Sequence, residues 1–514
     1  MGLFRSEYKI GRGETPESRV EAPFFALFVV FSALSLFVLH VYVQVPHITI
    51  AVGVSMFVFA ATVLRVELGV YVLVIAMLLS PEISSGTVRG GGGGWRNITM
   101  RYDDVLIAVI FLGVMVKQAF EGRRRFFLPS PINVAILIYY AIALVSCLLA
   151  LQRGVPMWDR KAAFFVMLKM AEFYMIFFLV GTAIRDSRQV RRQLAVFFVT
   201  AMIVAAYGIA MVGKEARVGA PFELGDTEPN TLGGYLMIVM VIALSLLLHA
   251  RTKAAKAILG LIACVAFIPF LYTLSRASYL AMLCAVLALT IAKRSVLLAS
   301  VLCAVLVSSP FLMPEDVTQR VNYTFQPDGE HVTVGGMSTG IQVDKSTYER
   351  IYVWKKVQYN LHVWPWLGGG VGWDTVLDSQ YARVIIETGL IGMAAFLFLQ
   401  FRLVRTAYEG YRWSRDWVVK GLALGTFAVT MGLMVHSAGT ISFLIIRVME
   451  PYWFLMAMTV SMRHLAIEEH ARLSEKRRAE SQGGAPESPG GRSLLSPAAA
   501  RTIPSSRLPR PMAR

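Results

Sequence analysis

The chain has 514 residues, of which 56% are hydrophobic and only 16% are charged, and its mean hydropathy is +0.58. A chain this apolar cannot form a water-soluble domain with an ordinary charged surface, so the composition indicates a polytopic membrane protein. The formal net charge of +17 would favour nucleic acid as the partner of a soluble chain. Here the lysines and arginines cluster in short loops between apolar runs, where they orient membrane helices, and no nucleic-acid partner is expected.

Residues 1–21 carry charges of both signs and lack the apolar centre and cleavage site of a signal peptide, so we expect a cytoplasmic N-terminal stub. The apolar runs that follow predict an all-α integral membrane protein with about 14 transmembrane helices, in a range of about 12 to 14. Eleven of them fall within 22–313 and three within 383–464. The predicted helices span 22–44, 46–64, 67–80, 104–119, 130–150, 162–184, 193–212, 231–249, 256–273, 278–292, 295–313, 383–401, 417–438 and 443–464.

The basic loops predict the orientation of these helices. An amino terminus in the cytoplasm also places the arginine-rich and lysine-rich segments 117–125, 185–192, 251–256 and 402–415 there, as the positive-inside rule requires. Both chain ends are then cytoplasmic. The loops expected on the outer side span 81–103, 151–161, 213–230, 274–277, 314–382 and 438–442.

The largest of the outer loops, 314–382, is where carboxylates, arginines and aromatic residues gather in number outside the apolar segments. Within it, Tyr348, Tyr352, Lys355 and Tyr359 recur at helical spacing, which is typical of a helix in the membrane interface, although a solvated loop helix has the same pattern. The segment 364–372 follows with apolar anchors and then glycines, which permit tight turns and close backbone approach. Residues 465–514 lack the apolar content of a core and predict a disordered basic cytoplasmic tail that contacts membrane lipids.

Two arginines in outer loops are candidate anion-binding residues. Arg217 belongs to the loop before one predicted helix, and Arg276 lies in a turn too short to leave the bilayer surface. A cation held near the membrane is costly unless it is paired or wet, so a lipid-linked phosphate is a suitable partner for both. Snorkelling into the headgroups is the alternative interpretation.

Other charged residues lie within the apolar segments. Lys169 and Glu172 stand three residues apart, as do Arg447 and Glu450, so each couple is expected to form an ion pair on one helix face. Arg447 is close enough to the outer end of its helix to contact a diphosphate as well. The histidines of the same outer regions are expected to be polar surface or interface residues; they are His331, His362 and His436.

The segment from Asp378 to Gly392 carries a family resemblance. Asp378 and Ser379 stand eleven positions before Gly389, and Glu387 begins the run Glu-Thr-Gly-Leu-Ile-Gly. With the arginine loops and the 364–372 segment in the same order, this chain resembles the O-antigen ligase and polymerase (Wzy-type) family of bacterial envelope glycosyltransferases. The ligases of that family carry a histidine where this chain has Asp378. The resemblance covers about residues 200–400.

The resemblance implies metal-independent, inverting transfer of a glycan from an undecaprenyl-diphosphate donor to a sugar hydroxyl, at the outer face of the bacterial inner membrane. No cofactor is expected. Asp378 is the candidate base, with Glu387 as its competitor, and Arg217, Arg276 and Arg447 are the candidate diphosphate ligands. The aspartate favours a polymerase of O-antigen or exopolysaccharide repeat units, with a chain-length regulator and a flippase as further partners. A ligase to lipid A-core, a transporter of lipid-linked oligosaccharide and a scaffold subunit are the alternatives.

Overall fold

A computed structural model describes residues 46–89, 95–121, 129–153, 160–223, 228–312, 315–322, 330–334, 337–343, 345–372 and 378–483. The first predicted helix, 22–44, therefore lies outside the described residues, as does the tail from 484 onward. The helices are α1 (Pro46–Leu64), α2 (Val66–Leu79), α3 (Tyr102–Phe120), α4 (Asn133–Gln152), α5 (Arg160–Ala183), α6 (Ser187–Met211), α7 (Pro229–Leu247), α8 (Lys253–Tyr272), α9 (Arg276–Lys293), α10 (Val296–Leu312), α11 (Glu315–Asn322), α12 (Lys345–Val363), α13 (Gln380–Trp413), α14 (Trp417–His436) and α15 (Ile446–Gly483).

Two antiparallel hairpins interrupt this helical order. Strands β1 (Glu82–Arg89) and β2 (Trp95–Arg101) pair between α2 and α3, and strands β3 (Glu330–Val334) and β4 (Met337–Val343) pair between α11 and α12. A single turn of 3₁₀ helix, Ser442–Leu444, precedes α15. The sequence analysis predicted neither hairpin.

Eight helices in the described part of the chain are long and apolar enough to cross a membrane; they are α4, α5, α6, α7, α8, α9, α13 and α14. The prediction of a helical membrane protein is confirmed, whereas the number of about 14 spans stays a prediction. Every predicted apolar segment after the first overlaps an observed helix. The last one differs most, because α15 continues to Gly483 and so includes the start of the predicted disordered tail.

The centre of the helix bundle is built from helices that are apolar on every side. In its most apolar stretch 83% of α7 is buried, and the corresponding share of α14 is 72%, whereas α9 reaches only 22%. A helix without a polar face belongs inside a bundle, and one with a single buried stripe belongs at its edge. Residues up to Ile467 form one compact unit around this core, and the chain from Glu468 onward forms a second unit.

Small residues let α7 and α14 approach closely. Gly421 and Gly425 stand one turn apart on α14, and a Cβ added at Gly421 would lie 2.9 Å from the Cα of Leu246 on α7. The hydroxyl of Ser245 donates to the carbonyl of Gly421 at 2.7 Å. Glycines spaced by four residues are the usual means of such close contact between membrane helices, because they leave room for the facing backbone.

The loops predicted to be cytoplasmic meet at one end of the bundle. Arg191 pairs with Asp416 at 2.6 Å, and Arg402 donates to the carbonyl of Pro131 at 3.0 Å. The loops predicted to be outer meet at the opposite end. The loop 212–223 contacts the turn before α9, and the turn after α14 contacts the start of α13. Which side of a membrane each end faces stays a prediction.

Candidate functional site

Arg217 and Arg276 lie at the same turn, between α8 and α9. The Arg217 guanidinium donates to the carbonyls of Thr273 at 3.2 Å and Leu274 at 3.3 Å, and Arg276 is the first residue of α9. Ser275 caps that helix, since its hydroxyl accepts a hydrogen bond from the amide of Ser278 at 3.3 Å. Both arginines are partly exposed. The turn therefore combines two guanidinium groups with a helix N-terminus, an arrangement that attracts anions.

A chain of buried polar side chains fixes this turn from below. The Ser275 hydroxyl donates to the side-chain oxygen of Asn230 at 2.7 Å and lies 2.8 Å from the Ser278 hydroxyl. Ser278 lies 3.0 Å from Nε2 of His436, whose Nδ1 lies 2.8 Å from the Ser442 hydroxyl. His436 has no exposed surface, so its prediction as a surface or interface residue is wrong. Its helix, α14, ends inside the bundle, where hydroxyl groups surround the ring.

The start of α13 is held beside the same region. The amide of Gln380 donates to the carbonyls of Ser437 and Thr440, at 3.0 and 3.1 Å, in the turn that follows α14. Asp378 stands two residues earlier and is exposed, so the chain allows it to lie no farther than about 7 Å from that anchor. Asp378, the candidate base, is thus held close to the turn that follows His436. The His436 ring is in turn hydrogen-bonded to Ser278, near the start of α9.

A third arginine comes from the large loop. A Cβ added at Gly439 would lie 3.4 Å from the Ala277 side chain and 3.7 Å from the guanidinium carbon of Arg350 on α12. Arg350 and Ala277, the second residue of α9, therefore both lie against Gly439. We call Arg217, Arg276, Arg350 and Asp378 together the arginine site.

The sequence analysis missed Arg350, although a signal for it was present. Arg350, Val353 and Val357 have helical spacing, and the two valines are buried. Tyr352, Lys355 and Tyr359 lie on the exposed face of α12, as the spacing of its aromatic residues predicted. Because Arg350 shares a helix face with these two buried valines, the spacing predicts that Arg350 points toward the protein interior.

Glu387, the competing base, lies at a break in α13. Gly389 has φ 66° and ψ −165° and so interrupts the helix. The Glu387 carboxylate accepts hydrogen bonds from Arg383 Nε at 2.8 Å and from the amide of Gly372 at 2.9 Å, and the residue is only 5% exposed. Because both contacts are internal, the carboxylate is occupied in holding the glycine segment against α13.

The segment 364–372 satisfies the backbone at this break. The amides of Gly369 and Gly370 donate to the carbonyls of Ile386 and Glu387, each at 2.9 Å. In the other direction, the amide of Leu390 donates to the carbonyl of Pro365 at 2.9 Å. Gly368 has φ 64°, and a Cβ there would lie 2.5 Å from the Glu387 backbone, which confirms the close approach that the glycines predicted.

Arg447 is in a different environment from the other candidate diphosphate ligands. It is 2% exposed, and its guanidinium donates to the carbonyl of Phe222 at 3.0 Å, to that of Pro221 and to the Glu82 carboxylate at 3.3 Å. These contacts occupy its two terminal nitrogens with protein groups. The structure therefore separates Arg447 from the arginine site, although Pro221 and Phe222 belong to the loop that carries Arg217.

Beside Arg447 lies a group of buried charges that we call the ionic cluster. Arg101 contacts Asp103 at 2.7 Å and Glu450 at 3.8 Å. The predicted pair of Lys169 and Glu172 is confirmed at 2.8 Å, and Lys169 also contacts Asp104. The predicted pair of Arg447 and Glu450 is wrong, because Arg447 turns toward Glu82 and the loop carbonyls while Glu450 faces Arg101. The members of the ionic cluster are Arg101, Asp103, Asp104, Lys169, Glu172 and Glu450.

Three carboxylates of the ionic cluster lie close together. Asp103, Asp104 and Glu450 each present one oxygen, and the three oxygens lie within 4.8 Å of one another. The arginine site brings three guanidinium groups into one region with an exposed carboxylate, Asp378, and guanidinium groups suit an anion.

Taken together, these features define a multi-helix membrane protein with an arginine site at one end of its bundle and an ionic cluster sealed nearby. No protein-family model matches the chain, and no curated protein matches its sequence significantly. The family resemblance therefore depends on the motifs themselves.

Proposed function

We propose that this protein is a membrane glycosyltransferase that joins lipid-diphosphate-linked oligosaccharide repeat units into a polysaccharide. The observation that carries the proposal is that Arg217 and Arg276 meet at the turn before α9, while the start of α13 is hydrogen-bonded to the turn after α14. These segments are far apart in the sequence, and the motifs that resemble the glycosyltransferase family occur in them.

The proposed chemistry assigns a role to each group. A departing lipid diphosphate carries negative charge, and the guanidinium groups of Arg217, Arg276 and Arg350 neutralise it as the glycosidic bond to the donor breaks. Asp378 accepts the proton of the attacking sugar hydroxyl, which then bonds to the anomeric carbon from the opposite face. The Asp378 carboxylate is exposed, so an attacking hydroxyl can approach its oxygens as a general base requires.

The proposal places the arginine site at the outer face of the bacterial inner membrane, with both chain ends in the cytoplasm. Basic loops gather at the opposite end of the bundle, as cytoplasmic loops do. The partners are the undecaprenyl-diphosphate donor, the acceptor glycan, membrane lipids and, in the cell, a flippase and a chain-length regulator.

The test uses purified full-length protein with a synthetic undecaprenyl-diphosphate repeat unit, and polymer length is measured on gels. Arg276→Ala should lower turnover by about 10²-fold, the scale of losing one charge-stabilising donor, and Arg276→Lys should recover part of it. Arg251→Ala is the matched control, because Arg251 is exposed at the opposite end of the bundle. Wild-type turnover in Arg276→Ala at equal protein level would contradict the proposal.

Two other functions predict different products in the same assay. A ligase would consume preformed chains only when lipid A-core is added as acceptor. A transporter would move the lipid-linked oligosaccharide across vesicles without lengthening it, and the buried charges of the ionic cluster are the observation that favours it. Polymer made from single repeat units without another acceptor distinguishes the proposed function from both.

A further inference from the structure

The ionic cluster contains more carboxylates than cations among the described residues. The four carboxylates contact only two cations, Arg101 and Lys169, so the cluster would carry a net charge of −2 if every group were ionised. The neighbouring pair of Arg447 and Glu82 is balanced at 3.3 Å and does not alter this excess.

The excess charge is deeply buried. Asp103 and Glu450 have no exposed surface, and Glu172 is 6% exposed. Both carboxylate oxygens of Asp103, both of Glu450 and Oε1 of Glu172 accept no hydrogen bond from the described residues. An ionised carboxylate oxygen without donors is very costly in such a place, so the cluster favours the uptake of positive charge beyond that of Arg101 and Lys169.

The geometry favours a proton as that positive charge. The oxygens of Asp103, Asp104 and Glu450 lie within 4.8 Å of one another, and carboxylates this close share protons because they cannot all be ionised. Arg101 contacts Asp103 at 2.7 Å, and Lys169 contacts Asp104. A metal ion among these oxygens would be repelled by both cations, whereas a proton binds to a single oxygen and needs no further room.

We propose that the ionic cluster is a proton-binding site in which Glu450 carries a proton at neutral pH and donates it in a hydrogen bond to Asp103. A second proton, on the buried Glu172 beside Lys169, completes the charge balance. The proposal is independent of the glycosyltransferase function and concerns a different set of residues from the arginine site.

Proton binding has a definite effect on stability. Unfolded aspartate and glutamate side chains lose their protons near pH 4, so at neutral pH the folded protein holds about two protons more than the unfolded chain. Stability must then fall as the pH rises from about 4 until the cluster loses these protons. The charged groups that face Glu450 are Arg101, Asp103, Asp104, Lys169 and Glu172, whereas Arg447, on the same helix, faces Glu82.

Infrared spectroscopy of the purified full-length protein tests the proposal directly. At neutral pH the wild type should show the carbonyl band of protonated carboxylic acids, which shifts in heavy water and disappears at high pH. Glu450→Gln should lose one such band, and its thermal midpoint should depend less on pH. Glu409→Gln is the matched control, because Glu409 is held by Arg405 at 2.9 Å and Arg463 at 2.5 Å and should be ionised.

Three results would overturn the proposal. The first is the absence of a carboxylic acid band from the wild type at neutral pH, a measurement that requires no variant. The second is a carboxylic acid band that stays unchanged in both Glu450→Gln and Asp103→Asn. Two variants are used because one of them alone could fail to fold. The third is a thermal midpoint that responds to calcium, magnesium or a chelator in the wild type but not in these variants, which would identify a metal site instead.

Discussion

The loop 212–223 connects the arginine site with Arg447, which lies beside the ionic cluster, yet the two sites hold their charges in different surroundings. Arg217 and Arg276 are partly exposed, and the Arg217 guanidinium donates to the carbonyls of Thr273 and Leu274. Arg101 is 2% exposed and is committed to carboxylates. The charged groups of the first region are thus partly accessible, whereas most of those of the second are enclosed between helices.

The largest expected effect is on activity and concerns Asp378. Asp378→Asn keeps the size of the side chain but removes its ability to accept a proton, so polymer formation should fall by about 10²- to 10⁴-fold. The thermal midpoint should stay that of the wild type, because Asp378 is exposed. Turnover and thermal unfolding of the same purified sample check both statements.

Glu387→Gln sharpens this prediction. The glutamine can still accept a hydrogen bond from Gly372 but loses the charge that pairs with Arg383. We expect this variant to be less stable than the wild type. Its turnover should fall only as far as the amount of folded protein falls. If Glu387→Gln is inactive and stable while Asp378→Asn polymerises normally, the base is Glu387.

The second effect concerns stability. Arg101→Met removes a buried cation and leaves Asp103 and Glu450 without it, so we expect a loss of about 3–5 kcal/mol or failure to accumulate. Arg185→Met is the control, since that side chain is 55% exposed and lies 3.9 Å from Glu121. An exposed pair contributes at most about 1 kcal/mol. Equal free energies of unfolding for Arg101→Met and Arg185→Met would show that the buried ion pairs of Arg101 contribute no more to stability than an exposed pair does.

The helices and the gathering of the arginines could be predicted from the sequence, because apolar runs and basic loops are local signals. Arg217 and Arg276 were expected on one side for this reason, and the structure places them at one turn. The break at Gly389 was not expected, since an apolar run does not reveal where a helix is interrupted. The pairing of Glu450 with Arg101 was also hidden, because it depends on how α15 packs against a distant helix start.

The smallest effect concerns Glu223, in the loop beside Arg447. Burial raises the pKa of this carboxyl to about 7, partly offset by a hydrogen bond from the amide of Glu228 and by Arg447. Its contribution to stability is complete below its ordinary pKa and decreases as the pH rises toward about 7. Glu223→Gln should flatten that part of the stability profile by about 1 kcal/mol, allowing for partial exposure.

Thermal midpoints measured across this pH range check the prediction. A profile identical to that of the wild type would show that Glu223 does not titrate there. This loop joins the arginine site to Arg447, so a change in turnover over the same range would also reveal communication between the two regions.

The break in α13 has a consequence for membrane insertion. A helix interrupted at Gly389 would expose unpaired amides and carbonyls to lipid, which costs several kcal/mol for each group. The segment 364–372 supplies partners for these groups, and it is synthesised just before the break. The segment 364–372 and the break in α13 must therefore pair before they enter the bilayer. An insertion that lengthens the chain between Gly372 and Gln380 should impair membrane integration of α13 more than the apolar sequence of α13 alone would suggest.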